Sequence, residues 1–123
     1  MLPRPERMRS ADMRSFFSEG HAATRRSASN RLLILRYRPN GLRNHRVAVV
    51  AGKALGNAAT RNRARRRIRE AYRRARYETQ AGYDLVFVAR APVVAAKFSE
   101  IHQSVLTLIQ RSQPSGVYHD PSG

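Results

Sequence analysis

Nine of the sixteen residues from Arg61 to Arg76 are arginine, and within that stretch only Glu70 opposes them. A guanidinium is planar, permanently charged and able to donate paired N–H bonds, which suits it to gripping phosphate. Read as a helix, Arg61, Arg65, Arg69 and Arg73 repeat every four residues along one stripe, with Arg63, Arg66, Arg67, Arg74 and Arg76 beside them. Like charges at that spacing repel by about 0.2–0.5 kcal/mol per pair. Solvated helix faces usually mix their signs, and this one does not. A polyanion relieves the repulsion, so nucleic acid is the expected partner. A basic helix lying on a membrane needs bulky apolar residues opposite its charges. Here that face carries Ala64, Ile68, Ala71, Tyr72 and Ala75, a set that suits packing on a sheet.

No second chemistry accompanies the arginines. The acids are Glu6, Asp12, Glu19, Glu70, Glu78, Asp84, Glu100 and Asp120, and no pair has the spacing of a two-metal nuclease site. Glu70 reads as an ion-pair partner within the basic helix, and Asp84, at the start of a strand, as a local cap or bridge. His21, His45, His102 and His119 fall in four separate segments without ligand spacing, and His102 borders an apolar helix stripe, a structural place. There is no phosphate-binding glycine loop and no nucleophile motif. With no cysteine, neither a disulfide framework nor a thiolate zinc site is available. These residues describe a binding protein with no active site, metal or small-molecule substrate of its own.

The elements that must position the basic helix come from 123 residues, enough for one domain with a modest core. Of its 24 basic residues 22 are arginine, leaving only Lys53 and Lys97, and the net charge of +16 opposes compaction unless an acidic partner is bound. No apolar run approaches a membrane span and the N-terminus lacks an apolar core after its charges, so a cytoplasmic location is expected by elimination. Residues 1–9, with two prolines and three arginines, read as a flexible basic arm. Ser10 is placed to cap a short helix whose first turn holds Asp12 and whose end is marked by Gly20. Its stripe of Met13, Phe16 and Phe17 has two readings: core that pins the helix to a sheet, or a ring on which a nucleotide base stacks.

Arg31 to Arg38 reads as a strand, with Leu33, Leu35 and Tyr37 on one face and Ile34, Arg36 and Arg38 on the other. Pro39-Asn40-Gly41 is a turn, and Arg46 to Ala51 a second strand, so a hairpin between the two is expected. A further short strand in the preceding loop is not separable. Tyr83 to Arg90 is the most hydrophobic run and reads as a central strand buried on both faces. Phe98, Ile101, Val105 and Leu108 give a helix from about Ala95 to Arg111, and residues 112–123 read as a disordered tail. The order helix, strands, basic helix, strand, helix makes an α+β two-layer sandwich over residues 10–111.

Lys53, Leu55-Gly56-Asn57-Ala58, Arg61-Asn62-Arg63 and Arg69-Glu70-Ala71 closely resemble the arginine-rich motif of the bacterial ribonuclease P protein subunit. That motif runs K-x-x-G-N-A-x-x-R-N-R-x-(K/R)-R-x-x-R-(E/Q)-A, and the resemblance covers about residues 7 to 111. It implies a ribosomal-protein-like fold with three early strands, a fourth after the basic helix, and a left-handed strand–helix–strand crossover; the general rule predicts the right hand. It also implies that an RNA subunit, using bound Mg²⁺, cleaves precursor tRNA. The protein then binds that RNA and holds the 5′ leader of precursor tRNA in a cleft between the first helix and the sheet. Asn57, Arg61, Asn62, Arg63, Arg65, Arg66 and Arg69 match the RNA-binding motif, with Arg73 continuing its stripe. Lys53 and Arg90 match basic residues near the leader, while Ala54 stands where a second lysine is frequent. The family's two leader-facing aromatics fall on Met13 and Phe17, and its strand tyrosine on Arg36. A register shift of one would put Tyr37 there instead.

Two rivals share part of these observations. A ribosomal-protein-like RNA binder with no role in cleavage would have the same fold and charge, and only the Gly56-Asn57-Ala58 and Arg61-Asn62-Arg63 details argue against it. A DNA-binding protein would put the basic helix in the major groove, but strands flank that helix where a helix-turn-helix needs another helix.

Overall fold

The computed structural model describes residues 7–18, 25–75 and 82–112. They form α1 (Ser10–Phe17), β1 (Arg26–Ser29), β2 (Leu33–Pro39), β3 (Arg46–Val50), α2 (Ala58–Ala75), β4 (Tyr83–Ala89) and α3 (Phe98–Ser112), with short 3-10 turns at Lys53–Leu55 and Ala91–Ala95. β1 is the strand that the sequence left unseparated. The sheet order is β1-β2-β4-β3, antiparallel except for the β3–β4 pair.

The expected hairpin between β2 and β3 is not formed, because β4 lies between them. Val86 and Phe87 of β4 are both fully buried, so the most apolar strand takes the centre and displaces β3 by one strand. The turn after β2 is held by β4: the Asn40 N–H donates to the Gly82 carbonyl at 2.7 Å, and Nδ2 donates to Asp84 Oδ1 at 3.0 Å.

The alternation of side chains along each strand makes two unlike faces. Leu33, Leu35 and Tyr37, Val47 and Val49, and Leu85, Phe87 and Ala89 join Ile68 and Tyr72 of α2 and Ile101, Val105 and Leu108 of α3 in one core. The buried residues of α2 are Ala64, Ile68, Ala71, Tyr72 and Ala75, the set its spacing predicted. Each fully buried Leu, Ile or Phe contributes about 1.5–3 kcal/mol. α3 begins three residues later than expected, since Ala91–Ala95 winds as a 3-10 turn and Glu100 Oε1 accepts the Lys97 N–H at 2.8 Å.

The other face carries Arg38, Asp84 and Arg46 in one row, then Arg36, Val86 and Ala48, then Ile34, Val88 and Val50. α1 packs here, against the first row, so the expected two-layer sandwich gains a short third layer. Phe16 is fully buried, with the Arg38 guanidinium 5.2 Å from its ring centroid. α1 starts one residue earlier than expected, with Arg9 at the cap position and its N–H donating to Asp12 Oδ2 at 2.8 Å. The expected stop at Gly20 lies outside the described residues. Of the expected flexible arm, Arg7 forms a parallel bridge with Val47, and the Met8 N–H donates to the Val47 carbonyl at 2.9 Å, covering part of the outer edge of β3. The remainder of the arm, and residues 113–123 of the expected tail, lie outside the described residues.

Candidate nucleic-acid interface

The start of α2 is built by the residues of the motif. Gly56 holds φ at 130°, where a side chain would be strained. Asn57 then caps the helix, its Oδ1 accepting the Thr60 N–H at 2.9 Å, a contact worth about 1 kcal/mol. Lys53 is exposed on the turn just before.

Along α2 the arginines divide by what they touch. Arg65 donates to the Ala51 carbonyl at 3.4 Å and to Asn62 Oδ1, which fixes both side chains beside the end of β3. Arg67 donates to the Ala96 carbonyl at 2.7 Å, and Arg74 lies 4.8 Å from the centroid of the Phe98 ring. Arg73 grips Glu70 with two bonds of 2.9 and 2.6 Å, and this holds the Glu70 carboxyl down to about 2. Arg63 and Arg66 are exposed and make no ion pair among the described residues. Arg61 is half-buried, with a buried Nε that has no hydrogen-bond partner among the described residues. The proton affinity of Arg69 is lowered by burial first, then by Arg65 and Arg7; that of Arg67 is lowered by burial and then Arg63. Arg7 on the arm therefore adds its charge to the Arg65–Arg69 stripe.

The second surface lies across the sheet, beside α1. Phe17 is 38% exposed, its ring meeting that of Phe16 edge-on at 4.9 Å. Met13 is half-buried on the same helix. Arg36 is exposed on the α1 side of the sheet, whereas Tyr37 is buried in the opposite core, where burial raises its pKa. The register shift that would have turned Tyr37 to the α1 side is not formed, and Arg36 occupies that side. Arg90 follows Val86 and Val88 in parity, is exposed, and donates to the Asn30 carbonyl at 2.8 Å. Its backbone pairs with Leu32, four residues along β2 from Arg36, so the two are about 13 Å apart along the open face.

The residue that sequence reading undervalued is Asp84. It is fully buried and accepts from Arg38 Nη2 at 3.3 Å, Arg46 Nε at 2.9 Å and Asn40 at 3.0 Å. The signal was present: an acid inside a strand read as buried on both faces must be paired. The other described carboxylates are paired too, Asp12 with Arg46, Glu70 with Arg73 and Arg74, and Glu100 with Arg31. Among the described residues no three histidine or acidic side chains gather for a metal ion. A donor set already neutralised by guanidinium does not fit resident Mg²⁺.

The family profile described as "Ribonuclease P" matches residues 2–113. The ribonuclease P protein component of Clostridioides difficile is 35% identical over 106 residues, covering 85% of this chain and 89% of that protein. That of Thermoanaerobacter sp. is 31% identical over 104 residues, covering 85% of each. Among solved structures, the RNase P protein from Thermotoga maritima is 27% identical with a TM-score of 0.74, covering 86% of this chain and 96% of that one. The Staphylococcus aureus RNase P protein, at 23% identity and a TM-score of 0.74 over 93% of this chain and 98% of that one, has the same fold. The chain belongs to the family of bacterial ribonuclease P protein components.

Proposed function

We propose that this chain binds the RNA subunit of ribonuclease P through the arginine face of α2, and holds the 5′ leader of precursor tRNA between α1 and the open sheet face. In this reading the RNA subunit, with its own Mg²⁺, cuts the substrate, and the protein supplies affinity and placement. The observation that carries it is Phe17, a ring left exposed on α1 beside a sheet face where, among the described residues, Arg36 is exposed and Ile34, Val88 and Val50 are only partly covered, with the exposed Arg90 beyond the end of β4. A stacked base adds about 1–3 kcal/mol of affinity without requiring a particular sequence. Arg63, Arg66, Arg61 and Arg69, without an ion pair among the described residues, supply guanidinium on the other side of the sheet, with Asn57, Asn62 and Arg65 at the start of the same helix and Lys53 on the turn before it. Arg73, bound to Glu70, is a lesser contributor until that pair opens.

The reading treats residues 10–111 as one RNA-binding domain. It carries with it a cytoplasmic location and a left-handed β3–α2–β4 crossover, the latter supported by the likeness to solved RNase P proteins. Among the described residues no helix is long and apolar enough to cross a membrane.

The test is reconstitution. Adding the purified chain to a bacterial ribonuclease P RNA at low Mg²⁺ should restore removal of the 5′ leader from a precursor tRNA, while the RNA-free chain should cut nothing. Tight binding to the RNA with no gain in leader removal would favour a purely structural RNA binder.

A further inference from the structure

Arg25 stands immediately before β1, and its Cζ lies 5.7 Å from the centroid of the Phe17 ring. Behind that ring the contacts continue inward. Phe17 and Phe16 meet in a T-shaped pair with centroids 4.9 Å apart, Phe16 faces the Arg38 guanidinium at 5.2 Å, and Arg38 is bound to the buried Asp84. The ring is thus anchored on its inner side by packed, buried groups. Among the described residues, the guanidinium over this ring is that of Arg25, itself half-buried.

We infer that Phe17 and Arg25 are the two walls of a slot for one nucleobase of the bound strand, the base stacking on the ring and the guanidinium stacking on the base. A base offers two π faces, and both aromatic rings and arginine planes stack on them. One base held between two planes needs about two stacking spacings, roughly 7 Å in all. Arg25 Cζ lies 5.7 Å from the ring centroid, so Arg25 has to move outward by on the order of 1 Å or more to admit a base. Until then the guanidinium keeps its favourable contact with the ring face. Entry of a base exchanges that contact for two others and leaves no charge stranded. The inference rests on the reading that the leader lies beside α1, and adds to it a second wall and a one-base capacity.

The experiment uses holoenzyme assembled from a bacterial ribonuclease P RNA and the full chain, with precursor tRNAs carrying one abasic site at each leader position in turn. Arg25→Ala should weaken precursor tRNA binding about fivefold to tenfold, as expected for a stacking contact, and leave mature tRNA binding unchanged. Arg25→Lys keeps the charge but loses the plane, and should be nearly as weak as Arg25→Ala. A single abasic position should weaken the wild-type complex, and weaken the Arg25→Ala complex no further. Tighter binding by Arg25→Ala would overturn the slot, since the guanidinium would then be competing with the base. So would full rescue by lysine, which marks a phosphate contact. Phe17→Ala, measured alongside, separates the two ideas. If it weakens precursor binding and Arg25→Ala does not, only the slot falls; if it has no effect, the leader reading and the slot fall together.

Discussion

Arg46 meets Asp84 side-on across the parallel β3–β4 pair, Nε to Oδ1 at 2.9 Å and Nη2 to Oδ2 at 3.0 Å. Its remaining nitrogen, Nη1, reaches Asp12 on α1 at 2.8 Å. One guanidinium therefore joins two strands to the helix that carries Phe17, and the hydrogen bonds it donates to Asp84 raise its pKa. α1 is thereby held over one end of the sheet face, while the rows of Arg36 and Ile34 remain partly exposed among the described residues.

Asp84 is fully buried against two arginines that have little access to water. Asp84→Ala leaves the buried Arg38 without a counter-charge and Arg46 with Asp12 alone, and should cost about 3–5 kcal/mol in urea unfolding. Asp84→Asn keeps an acceptor and should cost less. Under conditions where the variant protein is folded, the rate of the chemical step in the holoenzyme should be unchanged, because the carboxylate is engaged in structure. An Asp84→Ala protein as stable as wild type would mean that the buried network is not formed in solution.

Phe16 and Phe17 are adjacent on α1 and differ by about 100° around it, which is why one is fully buried and the other is not. Phe16→Ala should cost about 3–5 kcal/mol of stability. Phe17→Ala should leave the melting temperature close to wild type and weaken precursor tRNA binding by about 1–3 kcal/mol, with mature tRNA unaffected. Equal losses for both tRNAs would remove Phe17 from the leader site.

Salt dependence separates the arginines of α2. Replacing Arg63 or Arg66, exposed and unpaired among the described residues, by Ala should lower the slope of log affinity for the RNA subunit against log salt by about 0.7–0.9 each. Arg67→Ala should instead show mainly as lost stability, since its 2.7 Å bond to the Ala96 carbonyl ties α2 to the segment before α3. A slope unmoved by both Arg63→Ala and Arg66→Ala would mean that the RNA is gripped elsewhere.

Where periodicity alone decides structure, the sequence was legible. The five buried positions of α2 follow helical spacing, and the burial of Tyr83–Ala89 follows from its unbroken apolar run. Strand order was not legible, because the hairpin rule is local and β4 arrives from more than thirty residues downstream of β3 to take the centre. Spacing alone left the face of α1 open, because Phe16 and Phe17 are chemically identical; the resemblance assigned Phe17 to the outer side, and the structure buries Phe16 against Arg38 and leaves Phe17 exposed. Arg36 was readable as a departure from the motif, but its exposure depended on a register that only the pairing of Arg36 with Val86 fixes. The contact of Arg25 gave no signal, since it is made with a ring eight residues earlier.

Glu70 tests how far α2 is neutralised before RNA arrives. Its carboxyl is lowered from 4.5 to about 2, chiefly by the hydrogen bond from Arg73. A lowered folded-state pKa means that the ionised form stabilises the fold. That contribution is whole above about pH 4.5 and is lost as the pH falls through 2. Glu70→Gln should therefore lower the melting temperature at neutral pH, with the gap to wild type closing between pH 4.5 and 2. In RNA binding the sign reverses. The substitution frees Arg73 and Arg74 from their shared partner, so affinity for the RNA subunit should rise, and the salt slope should steepen by up to about 0.9 for each arginine that finds a phosphate. Leader removal by the saturated holoenzyme should keep its rate, since Glu70 holds arginines and no metal. A Glu70→Gln protein with wild-type salt slope and wild-type affinity would show that Arg73 and Arg74 face away from the RNA.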